Sequence, residues 1–377
     1  MRYDERRSEG EVSRTFQSLS LQMPIVRLSG TVIGSDDPGR SVRAKLLFML
    51  YNAGWDIYNS NGDQQITLSN IEKKISESDA FVFTPGASLE DMFKAISIFV
   101  GYQTLDKNLQ GKPTVILNND ESWDSLFNLL GRMKELGTVK QDFRDFLLSA
   151  SKPAKVIKRL QLAMQGAFPD PGRDIACNTE IPTADTPPPS DLVGRVCVFC
   201  SATLEDPAYI SDGEELGRRL AENKFGCVSG AGKSGIMGAV VRGSVGAGGW
   251  TAGSNVPHII ELEGLPDGLS RFWLRHDIYT RMEVMIENST SFVICPGGAG
   301  TVQELFALMI FKHQGNELMK GKKVVIFNRP DENGLGFWDA LLPLMESKCG
   351  PEDYEVATSL DEVMGLLKET AGEVQPV

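Results

Sequence analysis

Short apolar runs alternate with longer segments of helical period along most of the chain. RVCVFC (195–200), KFGCVSG (224–230), SFVICPG (291–297) and KKVVIF (322–327) have strand length and lead into turns. YISDGEELGRRLAEN (209–223) and TVQELFALMIFKHQ (301–314) have the spacing of buried or half-buried helices. Strand–helix alternation of this kind predicts parallel sheets covered by helices on both faces, an α/β, Rossmann-like, three-layer arrangement.

The pattern occurs twice. DAFVFTPG (79–86) matches TSFVICPG (290–297), and GKPTVILN (111–118) matches GKKVVIFN (321–328). Each second match is followed by a tryptophan, Trp123 or Trp338, expected to open a helix, and AKVIKRLQLA matches DEVMGLLKET near the end of each half. An ordered series of matches at a nearly constant offset predicts a duplication. The stretch 168–191 is rich in proline and polar residues and reads as a linker. The expected division is a flexible segment 1–24, a first α/β domain 25–167, the linker 168–191 and a second α/β domain 192–377.

Composition narrows the chemistry. The 377 residues carry a net charge of −12, which argues against a nucleic-acid partner. No apolar stretch approaches the ~20 residues of a spanning helix, and the charged start is unlike a signal peptide. With six scattered cysteines, a reduced cytoplasm is the expected compartment. Cys197 and Cys200 form a CxxC, but inside a strand, where core packing accounts for them better than redox chemistry. His258, His276 and His313 lack metal-ligand spacing, so neither a metal nor a cofactor is expected.

The candidate chemistry lies in the turns of the second half. After SFVIC come Pro296, Gly297, Gly298, Ala299, Gly300 and Thr301, then a helix carrying Glu304. Glycines let a ligand approach the backbone, and a helix start favours an anion. Thr301 is a candidate helix cap and phosphate donor, and Glu304 lies one turn further on. A second glycine turn, VSGAGKSGIMGAV (228–240), contributes Gly230, Gly232, Gly235, Met237 and Gly238; a third, CVFCSA, contributes Ser201. Parallel strands deliver such turns to one sheet edge, enough to outline a nucleotide-sized pocket. Read from the residues alone, the alternative is a set of tight strand–helix turns with Glu304 in a capping box.

These motifs resemble the LOG family, the "lonely guy" cytokinin-activating phosphoribohydrolases once labelled lysine decarboxylases. The PGGxGTxxE hallmark is complete as Pro296, Gly297, Gly298, Gly300, Thr301 and Glu304. The family's Arg-Lys pair reads Arg281-Met282, and GSNVPHIIELEG, with Asn255, Pro257 and Glu261, is similar to the bacterial nucleotide 5′-monophosphate nucleosidases. The resemblance covers about residues 194–368. It implies hydrolysis of the N-glycosidic bond of nucleoside 5′-monophosphates, AMP or an N6-modified AMP, to free base and ribose 5-phosphate. Glu304 would stabilise the transition state and position water, and Arg281 would bind the phosphate or ribose and orient Glu304. The turn residues and Met282 would surround the nucleotide, with Phe272 and Trp273 either beside the base or in the core. The alternatives are a nucleotide sensor without turnover and a molybdenum cofactor carrier-like protein.

In the first half the motif shrinks to TPGASLEDMF, with Ser88 opposite Thr301, Asp91 opposite Glu304 and Asn70 opposite Arg281. About forty residues of the second half have no counterpart there. The first half therefore reads as a degenerate, non-catalytic copy. It is expected to pack on the second as an internal pseudo-dimer, with a homodimer of such chains as a further option.

Overall fold

A computed structural model describes residues 25–29, 38–59, 68–109, 111–167 and 177–370. The first half runs β1 (Ile25–Ser29), α1 (Pro38–Asn52), β2 (Asp56–Asn59), α2 (Leu68–Ser76), β3 (Ala80–Phe83), α3 (Leu89–Gln103), β4 (Thr114–Leu117), α4 (Asp124–Glu135), β5 (Leu147–Ala150) and α5 (Pro153–Leu162). Its strands form a parallel five-stranded sheet of order β2-β1-β3-β4-β5. β3 and β4 are buried along their whole length, as continuous apolar strands covered on both faces must be.

The second half begins with β6 (Gly194–Phe199), α6 (Pro207–Glu222), β7 (Phe225–Ser229), α7 (Gly235–Gly246), β8 (Thr251–Asn255) and α8 (Pro257–Glu263). It continues through β9 (Arg271–Leu274), α9 (Ile278–Glu287), β10 (Ser291–Ile294), α10 (Ala299–His313) and β11 (Lys323–Phe327). It closes with α11 (Leu342–Lys348), β12 (Glu355–Ala357) and α12 (Leu360–Thr370). The parallel seven-stranded sheet has the order β12-β11-β10-β6-β7-β8-β9. Read from the other edge, β7-β6-β10-β11-β12 repeats the order of the first sheet, and β8 and β9 are extra. The α/β class follows from the sheets themselves.

Side-chain bonds recur between the halves. Lys112 Nζ donates to the Ile75 carbonyl at 3.0 Å, and Lys322 Nζ to the Ile286 carbonyl at 2.8 Å. Asn118 bridges the Trp123 N–H and the Asp124 carboxylate; Asn328 does the same for Trp338 and Asp339. Trp123 directly precedes α4, as expected. Trp338 does not open a helix: a turn intervenes and α11 begins only at Leu342.

The halves share a core. α3 packs on α10 and α2 on α9, each helix against its counterpart. Gln303 Nε2 donates to Ser97 Oγ at 3.0 Å, and Lys348 Nζ to the Ala87 carbonyl at 2.7 Å. The expected linker lies partly outside the described residues. Its described part is docked: Thr186 N–H donates to the Ser270 carbonyl, Phe272 N–H to the Ala184 carbonyl, and Trp250 Nε1 to the Thr186 carbonyl. The expected flexible segment 1–24 lies outside the described residues. No helix among the described residues is long and apolar enough to cross a membrane.

Candidate active site

The chain leaves the central strand β6 towards β7 on one side and returns through β10 on the other, so the carboxyl ends of β6 and β10 form a topological switch point. A cavity of about 390 Å³ lies there. Ser201 follows β6, and Gly298, Ala299, Gly300 and Thr301 follow β10; all five line the cavity. The Ser201 N–H donates to the Pro296 carbonyl, and the Met237 N–H to the Ser201 carbonyl, so the three turns are tied together. Ser201 Oγ accepts from the Thr203 and Leu204 N–H groups, which commits the hydroxyl partly to its own turn.

α10 begins at Ala299, two residues before the predicted helical run, and no side chain caps it. Thr301 is not the cap. It is buried in the first turn, where its side chain needs the space that Gly297 leaves: a Cβ on Gly297 would lie 2.1 Å from Thr301 Oγ1. The uncapped first-turn N–H groups and the helix dipole make this end suited to an anion.

Glu304 projects from the next turn of α10, is 7% exposed and lines the cavity. Among the described residues its carboxyl has no hydrogen-bond partner. Burial pushes its carboxyl up to about 8, with Arg281 opposing the shift and Glu263 adding to it. Glu263, at the end of α8, also lines the cavity, and burial raises its carboxyl too, again opposed by Arg281.

Arg281 comes from α9. The expected direct pair with Glu304 is not formed; Nε donates to the Ser254 carbonyl at 2.9 Å and Nη2 to the Gly230 carbonyl at 3.1 Å. The ends of β7 and β8 thus anchor the guanidinium within the field of both carboxyls. Gly230 permits this, since a Cβ there would lie 2.1 Å from Arg281 Nη2. Met282 is 2% exposed and gives the cavity an apolar wall with Ile278.

Nine of the candidate nucleotide-site residues therefore meet at one cavity: Ser201, Met237, Arg281, Met282, Gly298, Ala299, Gly300, Thr301 and Glu304. Gly230, Gly232, Gly235, Gly238 and Gly297 do not line it. They shape the turns behind it: Gly235 has a φ of +61° and no room for a Cβ against the Ala202 backbone. Phe272 and Trp273 lie on the edge strand β9 and are not among the lining residues. Glu261 faces away, accepting from the Asn178 and Thr179 N–H groups, while Asn255 is buried and accepts from the Val256 N–H.

Sequence reasoning missed Glu263 and the whole contribution of the first half, which supplies Val100, Gln103, Thr104, Thr138, Lys140 and Gln141 to the cavity. It also missed a grouping of potential metal ligands, His313, Cys349 and Asp353, whose ligand atoms lie within 4.8 Å of one another. His313 Nε2 and Asp353 Oδ2 are already hydrogen-bonded at 2.7 Å, and burial pushes the Cys349 thiol up to about 12. Cys197 and Cys200 are free, buried thiols that burial raises well above their ordinary value.

The corresponding turn of the first half is closed on itself. Gly86 N–H donates to Asp120 Oδ2 at 2.7 Å and to Ser122 Oγ, which also accepts from Ala87. Ser88 and Asp91 form a capping box at the start of α3. Protein groups thus meet the donors that an anion would otherwise meet. The side chain of Asn70 lies outside what is described.

An uncapped glycine turn, a buried carboxyl and an anchored arginine meet at a switch point of the α/β fold, an arrangement suited to a small anion or a nucleotide. Residues 237–370 match the family model described as "Possible lysine decarboxylase". The chain is 30% identical over 135 residues to the cytokinin riboside 5′-monophosphate phosphoribohydrolase of Rhodococcoides fascians, covering 35% of this chain and 67% of that protein. It is 30% identical over 166 residues to a probable enzyme of the same name from Arabidopsis thaliana, covering 44% of this chain and 78% of that one. Among solved structures, the molybdenum cofactor carrier protein of Chlamydomonas reinhardtii is 18% identical, covering 48% of this chain and 98% of that one at a TM-score of 0.37. The chain belongs to the LOG family of cytokinin riboside 5′-monophosphate phosphoribohydrolases.

Proposed function

We propose that the chain hydrolyses the N-glycosidic bond of nucleoside 5′-monophosphates, AMP or N6-modified AMP, giving free base and ribose 5-phosphate. The observation that carries this reading is Glu304, a buried carboxyl without a hydrogen-bond partner among the described residues, one turn beyond an uncapped helix start and on the wall of a nucleotide-sized cavity. The phosphate sits at the Gly298–Thr301 turn. Glu304, protonated near neutral pH, gives its proton to the departing base as the C1′–N bond breaks and its electrons pass to the base. The resulting carboxylate stabilises the oxocarbenium-like sugar and takes a proton from the water that adds to C1′, which restores the acid. Arg281 tunes both carboxyls from its fixed position.

The first half serves as an internal pseudo-partner that arose by duplication. The shared sheet order, the recurring lysine and asparagine bonds, and counterpart helices packed on each other support this reading. A twofold interface pairs equivalent surfaces in just this way. Met282, where the family's arginine is followed by lysine, favours a second reading as a nucleotide-binding module without turnover. Incubation of the full chain with AMP, GMP, CMP, UMP and isopentenyl-AMP, with free base followed by chromatography, separates the two. Base release supports hydrolysis; nucleotide binding without release from any of the five contradicts it.

A further inference from the structure

The cavity is not built by the second half alone. Gln103, Thr104, Thr138, Lys140 and Gln141 bring polar groups to its wall from the first half. Thr138 is held by two bonds to the Met133 carbonyl, through its N–H and its hydroxyl. Val139 and Phe143 are buried on either side of Lys140, and Asp142 caps the short helical turn Phe143–Asp145. The segment is therefore fixed at both ends. It lies against the glycine turn, since a Cβ on Gly298 would come within 2.8 Å of the Thr138 carbonyl oxygen. Two residues further on, Lys140 lines the same cavity as Gly298, Ala299, Gly300 and Thr301.

The cations at this wall differ in how they are engaged. Arg281 already donates to two backbone carbonyls. The Lys140 ammonium has no carboxylate or carbonyl partner among the described residues; only the Lys140 backbone carbonyl takes part in a hydrogen bond, from Lys134 Nζ. Two acidic side chains, Glu263 and Glu304, line the cavity. A phosphate monoester, near −2 at neutral pH, therefore enters a site where the one cation without a protein partner among the described lining residues comes from the other half.

We infer that Lys140 binds the phosphate of the ligand held at the Gly298–Thr301 turn, so that the degenerate half completes the anion site of the other. The inference rests on the nucleotide reading above. It gives the first half a role in ligand binding besides packing, although its own glycine turn is closed by Asp120 and Ser122.

The test is calorimetric titration of the full chain with ribose 5-phosphate and with adenosine, alongside turnover of AMP, for wild type, Lys140→Met and Lys140→Arg. Lys140 is exposed, so both variants are expected to fold. Lys140→Met should weaken ribose 5-phosphate binding by roughly tenfold or more, the loss expected for a charge-assisted hydrogen bond. Adenosine affinity should not change, and Lys140→Arg should recover most of the loss. Binding of ribose 5-phosphate by Lys140→Met within about twofold of wild type would overturn the inference and leave the hydrolase reading standing. A Lys140-dependent affinity without AMP turnover would support the inference and count against hydrolysis. Failure of wild type to bind ribose 5-phosphate overturns the inference directly.

Discussion

The side-chain amide of Gln303 donates to the hydroxyl of Ser97 at 3.0 Å across the junction of the two halves, and both residues are buried. Gln303 directly precedes Glu304, so a contact between the halves also holds the helical turn bearing the candidate acid. Around it, the apolar face of α10 meets the counterpart face of α3. Residues 192–377 expressed alone should therefore expose a helix face that is buried in the full chain. They are expected to self-associate or precipitate and to lose most base release. Size-exclusion chromatography with a parallel assay checks this; a soluble, monomeric, fully active fragment would contradict the pseudo-partner arrangement.

Gly230 and Arg281 form a matched pair. A methyl group at residue 230 would meet the guanidinium at 2.1 Å and displace it from the two carbonyls. Gly230→Ala should therefore reproduce the kinetic defect of Arg281→Ala, on the order of 10²-fold or more in kcat/KM, and the double variant should be little worse than either. Additive losses would show that the two residues act separately.

Glu304 makes folding stability depend on pH in a definite direction. Its carboxyl is raised in the folded chain from the ordinary 4.5 to about 8. Below 4.5 both states hold the proton and the difference is fully in the folded state's favour. As pH rises to about 8, the unfolded chain releases the proton while the folded chain keeps it, so stability falls. Glu304→Gln removes this dependence. Relative to wild type it should gain on the order of a few kcal/mol between pH 4 and pH 9, at about 1.4 kcal/mol per pKa unit. Denaturant titrations at the two pH values check the sign.

The same proton shapes the rate. If Glu304 must donate it to the departing base, kcat/KM should fall above about pH 8, approaching tenfold per pH unit. A profile still flat at pH 9.5 would assign the proton to another group.

Much of this site was legible in the sequence because its parts are local. A strand, a glycine turn and a helix start follow one another in the chain. What escaped depends on packing. In GSNVPHIIELEG, Glu261 drew attention, yet Glu263 reaches the cavity. Residues two apart on a helix point about 200° apart, so one faces the docked linker and the other the site. The sequence pairs Arg281 with Glu304, but its guanidinium donates instead to carbonyls at the ends of β7 and β8. Trp338 keeps the main-chain hydrogen bond that Trp123 makes to an asparagine, but not the indole bond of Trp123 to the Thr84 carbonyl, and the helix after it starts later. Lys140 carries no motif, and its segment reaches the glycine turn through the packing of the first half on the second.

The most direct measurement is release of ribose 5-phosphate and adenine from AMP by the full chain and by Glu304→Gln under identical conditions at pH 7. Wild type should release both products in equal amounts, and the variant should be slower by roughly 10²–10⁴-fold while still binding AMP. Release by the variant at the wild-type rate would contradict Glu304 as the proton carrier, and absence of release by wild type would contradict hydrolysis itself.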